Sequence, residues 1–208
     1  MREKSIYLLF SDTGTYLSRA INYCTKQSLN HVSIGFDSEL KEVYSFGRIN
    51  PRNPFSGGFV KEDIRGDFLE RANCKIYTMQ ITESDYNKIL TNIKEIEAEA
   101  SNYKYNFIGL IGVLLQIEIN RKNALFCSQF VATVLKDCKE LCLEKPHCFV
   151  TPADIREQLG LQLIYQGKLG DYPDQLIAES DIKSDETLVP KQSFLLLVSK
   201  KVKQYVFR

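Results

Sequence analysis

This 208-residue sequence predicts an α+β domain built on a small antiparallel sheet that curls toward a partial barrel. Three observations carry that prediction. Apolar and polar residues alternate with period two in short runs scattered along the chain, as half-buried strands require. Two of these runs, His31 to Phe36 and Glu42 to Phe46, are separated only by the turn Asp37-Ser38-Glu39-Leu40 and therefore pair as a hairpin. Between the strand-like runs lie segments with apolar residues at helical spacing, so helices pack on the sheet.

In chain order, Ser5 to Ser11 reads as the first strand and Asp12-Thr13-Gly14 as a turn. Tyr16, Leu17, Ala20, Ile21 and Cys24 then recur at helical spacing and predict a short helix to about Lys26. The hairpin follows. With its turn centred between Ser38 and Glu39, His31 comes opposite Phe46, flanked by Ser45 and Gly47. Arg48 to Asp67 is rich in Gly, Pro and Asn and predicts a long ordered loop. Because Asn50 to Gly58 leaves the hairpin at its His31 end, this part is expected to border a cleft. Gly57 and Gly58 would then allow close backbone approach to a substrate.

Cys74 to Ile81 alternates as a strand. Thr82 then caps a helix to about Asn102, with Asp85 supporting the cap and Tyr86, Ile89, Ile93, Ile96 and Ala100 facing inward. Phe107 to Leu115 is an apolar core segment leading to a helix that begins near Cys127, with Asn123 as a cap. Thr151-Pro152-Ala153-Asp154 is a capping box with proline at the first helical position. Leu161 to Tyr165 and Ser193 to Ser199 are further strands, joined by a polar stretch. One domain spans 1–208, with an extension from about residue 167.

Charge and composition narrow the function. A net charge of +1 offers no electrostatic footprint for nucleic acid. The longest apolar run, Phe107 to Ile117, is too short for a membrane span, which needs roughly 18–20 residues. No secretory leader pattern opens the chain, so a cytoplasmic setting with reduced cysteines is expected. Cys138, Cys142, Cys148 and His147 form a loose cluster without a paired knuckle, so no metal and no other cofactor is expected. Nothing in the pattern specifies an oligomeric state.

The chemistry is expected at Cys127. A thiol in the first turn of a helix meets unpaired N–H groups and the positive end of the helix dipole, which favour the nucleophilic thiolate. Such a nucleophile needs a base. His147 lies in a loop after the helix, whereas His31 opens a strand, where a rigid scaffold can aim it. His31 is the stronger candidate.

His31-Val32-Ser33-Ile34 on a strand, followed later by Cys127-Ser128-Gln129-Phe130 on a helix and by Thr151-Pro152-Ala153-Asp154, resembles the NlpC-like papain superfamily. With histidine before cysteine, it resembles the circularly permuted YiiX/YaeF-like branch, related to lecithin–retinol acyltransferases. The resemblance covers roughly residues 5–166. It implies a permuted papain-like fold, Cys127 as nucleophile and His31 as base. It also implies a polar residue on the next strand that orients the imidazole. That place falls at Ser45, a neutral residue where relatives often carry Glu or His, with Glu42 the nearest carboxylate. On this reading Ser45→Glu would strengthen the site. The backbone N–H of Cys127 would help bind an oxyanion, with Tyr7 or Ser11 of the first strand as further substrate-binding groups.

The leading expectation is a cysteine hydrolase of the amidase or thiol-protease kind, cleaving an amide or ester bond of a small peptide, amide or lipid-like substrate through an acyl-enzyme. One alternative is an acyltransferase of lecithin–retinol acyltransferase type, in which a lipid or amine takes the acyl group. Another is a catalytically weak ligand-binding module on the same fold, suggested by the neutral Ser45.

Overall fold

Strand β1 (Glu3–Asp12) carries Ile6, Leu8 and Phe10 on one face and Tyr7, Leu9 and Ser11 on the other, so both of its faces must be covered. The computed structural model shows how. It describes residues 3–14, 18–19, 22–23, 26–50, 56–67, 69–106, 109–110, 112–113, 117–118, 123–141 and 143–173. β1 lies inside a six-stranded antiparallel sheet with β2 (His31–Gly35), β3 (Val43–Arg48), β4 (Gly57–Lys61), β5 (Asn73–Thr82) and β8 (Gln162–Lys168). The strand order is β4-β3-β2-β1-β5-β8. Two short strands, β6 (Lys104–Tyr105) and β7 (Ala124–Leu125), pair in parallel apart from it. The molecule is therefore of mixed α+β class, as expected.

Among the described residues, three helices pack on the Ile6–Leu8–Phe10 face. α1 (Glu83–Ala98) supplies Ile89, Ile93 and Ile96, and α2 (Cys127–Val134) supplies Phe130, Val131 and Val134. The short α3 (Pro152–Arg156) adds Ile155. Phe130 is fully buried, with its ring centroid 5.3 Å from that of Phe46 on β3. Burial of such a ring is worth about 2–3 kcal/mol, and it fixes α2 against the hairpin. The opposite face is covered by Leu40, Ile64, Leu69, Leu169 and Tyr172, which pack on Leu9, Val43, Cys74 and Ile76.

Thr82 caps α1 by accepting from the Asp85 N–H, and Thr151 and Asp154 form the reciprocal capping box of α3, both as the sequence predicts. α1 stops at Ala98 and gives way to a 3-10 turn at Ala100–Asn102, short of the predicted end. The other departures cluster in the hairpin and the segment after it. β2 and β3 pair Ile34 with Tyr44 and Gly35 with Val43, one residue away from the expected register. The connection explains the slip. It is not a tight turn: Leu40 adopts φ 56°, and the Asp37 carboxylate caps the Lys41 and Glu42 N–H groups, so an additional residue fits.

The expected loop over 48–67 also contains β4, in which Gly57 and Gly58 pair with Arg48 and Gly47. Gly57 is in the ladder because nothing larger fits: a Cβ there would lie 2.7 Å from the Tyr105 Cβ. The predicted helix over 15–26, the apolar segment 107–115 and part of the loop at 51–55 fall partly or wholly outside the described residues, as does the strand at 193–199. The chain divides into a compact unit, Met1–Leu176, and Ile177–Arg208, which lies outside the described residues. No helix among the described residues is long and apolar enough to cross a membrane.

Candidate active site

His31 is the first residue of β2 and stands opposite Ser11 of β1. Its side chain projects from the sheet face that also carries Ser33. Extending the observed β2–β3 register places Ser45 across from Ser33 and Gly47 across from His31, all on that face. Gly47 gives the imidazole room: a Cβ there would lie 3.5 Å from the His31 Cε1. Val60 of β4 is opposite Ser45, and two residues on, just past the end of β4, comes Glu62. The Glu62 N–H donates to the Val43 carbonyl at 2.8 Å, which extends the β3–β4 pairing by one bond and turns the carboxylate inward.

Glu62 is the centre of this arrangement. Its Oε1 lies 2.7 Å from the His31 Nε2 and accepts from the Ser45 hydroxyl at 2.5 Å, while its Oε2 accepts from the Ser33 hydroxyl at 2.7 Å. The His31 and Glu62 side chains are only 12% and 8% exposed, so the pair is shielded from solvent screening. Burial opposes charge on His31, but the Glu62 carboxylate and Cys127 outweigh it and push the imidazole up to about 10. Burial likewise opposes charge on Glu62. The His31 charge and the hydrogen bonds from His31, Ser45 and Ser33 outweigh it and hold the carboxyl below its ordinary value.

Cys127 comes to this group from the other layer. It is the first residue of α2, after Phe126 in the N-cap position. Phe126 offers no side-chain acceptor and Asn123, the expected cap, sits before β7 with φ 55°, so the first N–H groups of the helix are left for other partners. The thiol reaches the edge of β2 beyond its paired stretch with β3, donating to the Asn30 carbonyl at 3.8 Å. Asn30 is itself tied down, its Nδ2 donating to the Ser18 carbonyl at 2.7 Å. The His31 ring and the N–H groups of Val32 and Ser128 also lie close enough to act on the charge of the sulfur. With Nε2 on Glu62, Nδ1 is the ring nitrogen left for sulfur. Burial of the thiol favours the neutral form, but His31 and the two N–H groups prevail and lower its pKa. Such a set shifts the balance toward thiolate and imidazolium.

Tyr105 completes the surroundings of Cys127. The parallel β6–β7 ladder sets Tyr105 beside Leu125, two residues before the cysteine. Its phenol lies close enough to Cys127 for the two to act on each other electrostatically. Burial and the neighbouring sulfur charge push the phenol well above its ordinary value.

The structure therefore brings His31, Cys127 and Ser45 together but corrects the expected roles around them. Ser45 donates to Glu62 rather than holding the imidazole. Glu42 is exposed and bonded to Tyr44 and Lys61, so it does not orient His31. Tyr7 stands opposite Gly35, four residues along the ladder from the Ser11–His31 pair and roughly 13 Å away at strand spacing. There it packs with the second core and is remote from the thiol. Ser11 is fully buried, with no hydrogen-bond partner for its hydroxyl among the described residues, so no substrate reaches it without rearrangement. Gly57 and Gly58 pack against Tyr105 and Ile49 within β4 and β6 rather than forming a substrate loop.

Glu62 and Tyr105 were missed by sequence reasoning. Phe59-Val60-Lys61-Glu62 shows no period-two alternation, so the sequence carried no sign of the former. His147 lies beside a separate cleft with Gln129, Thr133 and Lys145 and is held below its ordinary pKa by burial and Lys136. Among the described residues, no group of three or more His, Cys, Asp and Glu side chains is placed to hold a metal ion.

No family model matches this chain, and neither a curated protein nor a solved structure matches it.

Proposed function

We propose that the protein is a cysteine hydrolase of amide or ester bonds, with Cys127 as nucleophile, His31 as general base and acid, and Glu62 as the residue that orients and charges the imidazole. The observation that carries this reading is the buried His31–Glu62 pair, buttressed by Ser33 and Ser45, with the Cys127 sulfur close enough for it and the His31 ring to act on each other's charge. A buried carboxylate with three donors on it is costly to assemble for stability alone. It does useful work where an imidazole must be kept in one orientation and tautomer. The order of a histidine strand followed by a cysteine helix on an antiparallel sheet supports the permuted NlpC-like papain arrangement as the fold.

In the proposed reaction the Cys127 thiolate attacks the substrate carbonyl carbon. The carbonyl electrons move to oxygen, which the Cys127 N–H stabilises. Collapse expels the amine or alcohol, which takes the proton from the His31 imidazolium, and a thioester remains. Neutral His31 then removes a proton from water, the hydroxide attacks the thioester, and the carboxylic acid leaves as the thiolate re-forms. Glu62 keeps the charged imidazole in place through both halves.

The test is a panel of activated esters and aryl amides with mass spectrometry of the intact protein. The expected result is an acyl adduct on Cys127, absent in Cys127→Ala and formed at least about a hundredfold more slowly in His31→Ala. If an added amine or lipid alcohol accelerates adduct loss and receives the acyl group, the enzyme is a transferase. A protein that forms no adduct and alkylates at Cys127 like a free thiol is a binding module instead.

A further inference from the structure

The hydrogen bond that the Cys127 thiol donates ends on the backbone, at the Asn30 carbonyl 3.8 Å from Sγ. A carbonyl oxygen only accepts. It holds the proton of the neutral thiol and offers a thiolate nothing, so it opposes ionisation. The sulfur thus lies between two consecutive residues with opposite preferences, the Asn30 carbonyl for the thiol and the His31 ring for the thiolate. Asn30 is fixed by its own side chain. Its Nδ2 donates to the Ser18 carbonyl at 2.7 Å and to the Asn22 Oδ1 at 2.6 Å, which engages both amide hydrogens. Ser18 is fixed in turn. Its hydroxyl donates to the Asp12 Oδ1 at 2.9 Å, and the same oxygen accepts the Gly14 N–H at 3.0 Å. Asp12 ends β1, and its neighbour Ser11 pairs with His31. The connection from β1 to β2 is therefore braced from end to end, and the last residue of the brace carries the oxygen that holds the thiol proton.

We propose that Asn30 is a positioning residue for the nucleophile: its clamped carbonyl retains the Cys127 proton in competition with His31 and so sets the pH at which the thiolate forms. This rests on the reading of Cys127 as nucleophile and His31 as base, and adds the group that restrains them. The titratable groups that act on the sulfur from the neighbouring strands are His31 of β2, with Glu62 behind it, and Tyr105 of β6, which Arg48 of β3 also influences. On the helices packed nearby, Asp85 of α1 is paired with Lys88, Asp154 of α3 with Lys145, and Arg156 reaches Gln27. The Asn30 carbonyl is the counterweight to His31. Below the midpoint of ionisation the sulfur rests as a thiol held in place, less open to oxidation than a free thiolate.

The sign of a pH shift tests the clamp. Thiolate formation is read by ultraviolet absorbance against pH, with Cys127→Ser as the blank. Asn30→Ala removes both clamping bonds and frees the carbonyl. The loss of one weak hydrogen bond to the neutral thiol should lower the midpoint by about half a unit, and the acid limb of ester turnover should move to lower pH with it. Asn22→Ala cuts one of the two bonds. It should shift the midpoint the same way by less, and it serves if Asn30→Ala does not fold. A merely structural role gives the opposite sign, because loosening the start of β2 would weaken the hold of His31 on the sulfur and raise the midpoint. A midpoint that rises or stays level in the variants that fold overturns the clamp. His31→Ala, titrated beside them, tests the dyad separately. A wild-type midpoint at the ordinary thiol value, unmoved by His31→Ala, overturns the base, and the direction of the Asn30→Ala shift still decides the clamp.

Discussion

The Nε2 of His31 lies 2.7 Å from the Oε1 of Glu62, a residue 31 positions further along the chain. That contact exists only because two ladders run in register: β2 on β3 brings Ser45 across from Ser33, and β3 on β4 brings Val60, and so Glu62, to the same face. Glu62→Gln preserves the volume and removes the charge. Without the carboxylate, the imidazolium loses its largest stabilising partner and the His31 pKa falls. The thiolate loses a charged neighbour in turn. Turnover of an activated ester should drop about a hundredfold or more, and the lower limb of its pH profile should move toward higher pH. An unchanged profile would assign Glu62 a purely structural role.

The same pair sets the pH range of stability. Glu62 is depressed in the folded protein, so its contribution is present above the ordinary carboxylate value and is lost as pH falls through the folded one. His31 is raised from 6.5 to about 10, so its contribution is complete below 6.5 and fades as pH climbs toward 10. Denaturant titrations should therefore show a plateau at mildly acidic to neutral pH with a decline on each side. His31→Ala should flatten the alkaline decline. It should also cost about 3–5 kcal/mol at neutral pH by leaving a buried carboxylate without its counter-charge.

Cysteine reactivity offers an independent check. Burial pushes Cys74 and Cys138 to about 11, and Cys148 is also raised, whereas Cys127 alone among these four is lowered. Brief treatment with a small alkylating agent at neutral pH should modify Cys127 ahead of the other three, as peptide mapping would reveal. Preferential labelling of Cys148, which lies beside His147, would instead point to the second cleft.

His31 and Cys127 were legible in the sequence because each announces itself locally, one at the head of an alternating strand and the other at the start of an apolar helix. Strands β1, β2, β3, β5 and β8 and both threonine caps were legible for the same reason. Glu62 was not, since its role depends on pairing across two strands. The nearer of those registers slipped by one residue at Leu40, whose left-handed backbone no sequence pattern flagged. Gly57-Gly58 read as a loop because glycine disfavours strands, yet the pair lies in β4 where Tyr105 leaves space for nothing larger at position 57. Tyr105 was hidden by the shortness of β6, two residues with no periodicity to read.

Ser45 is where sequence and structure lead to opposite expectations. Read as the partner of His31, a serine is a weak orienting group that glutamate would improve. In the structure its hydroxyl donates to the same Glu62 oxygen that engages His31, so the serine steadies a carboxylate already present. Ser45→Ala removes one of three donors to a buried charge. It should cost about 1.5–3 kcal/mol of stability and less than tenfold in turnover, because His31 and Ser33 still hold Glu62. Ser45→Glu places a second carboxylate within hydrogen-bond distance of the first. Two like charges cannot both stay ionised there, so one takes up a proton or is driven out, and His31 loses its fixed acceptor. Turnover should fall by more than in Ser45→Ala, and the pH profile should show an added ionisation from the coupled carboxylates. Side-by-side kinetics of the two variants decide the matter: a gain for Ser45→Glu would mean that Glu62 does not orient the imidazole.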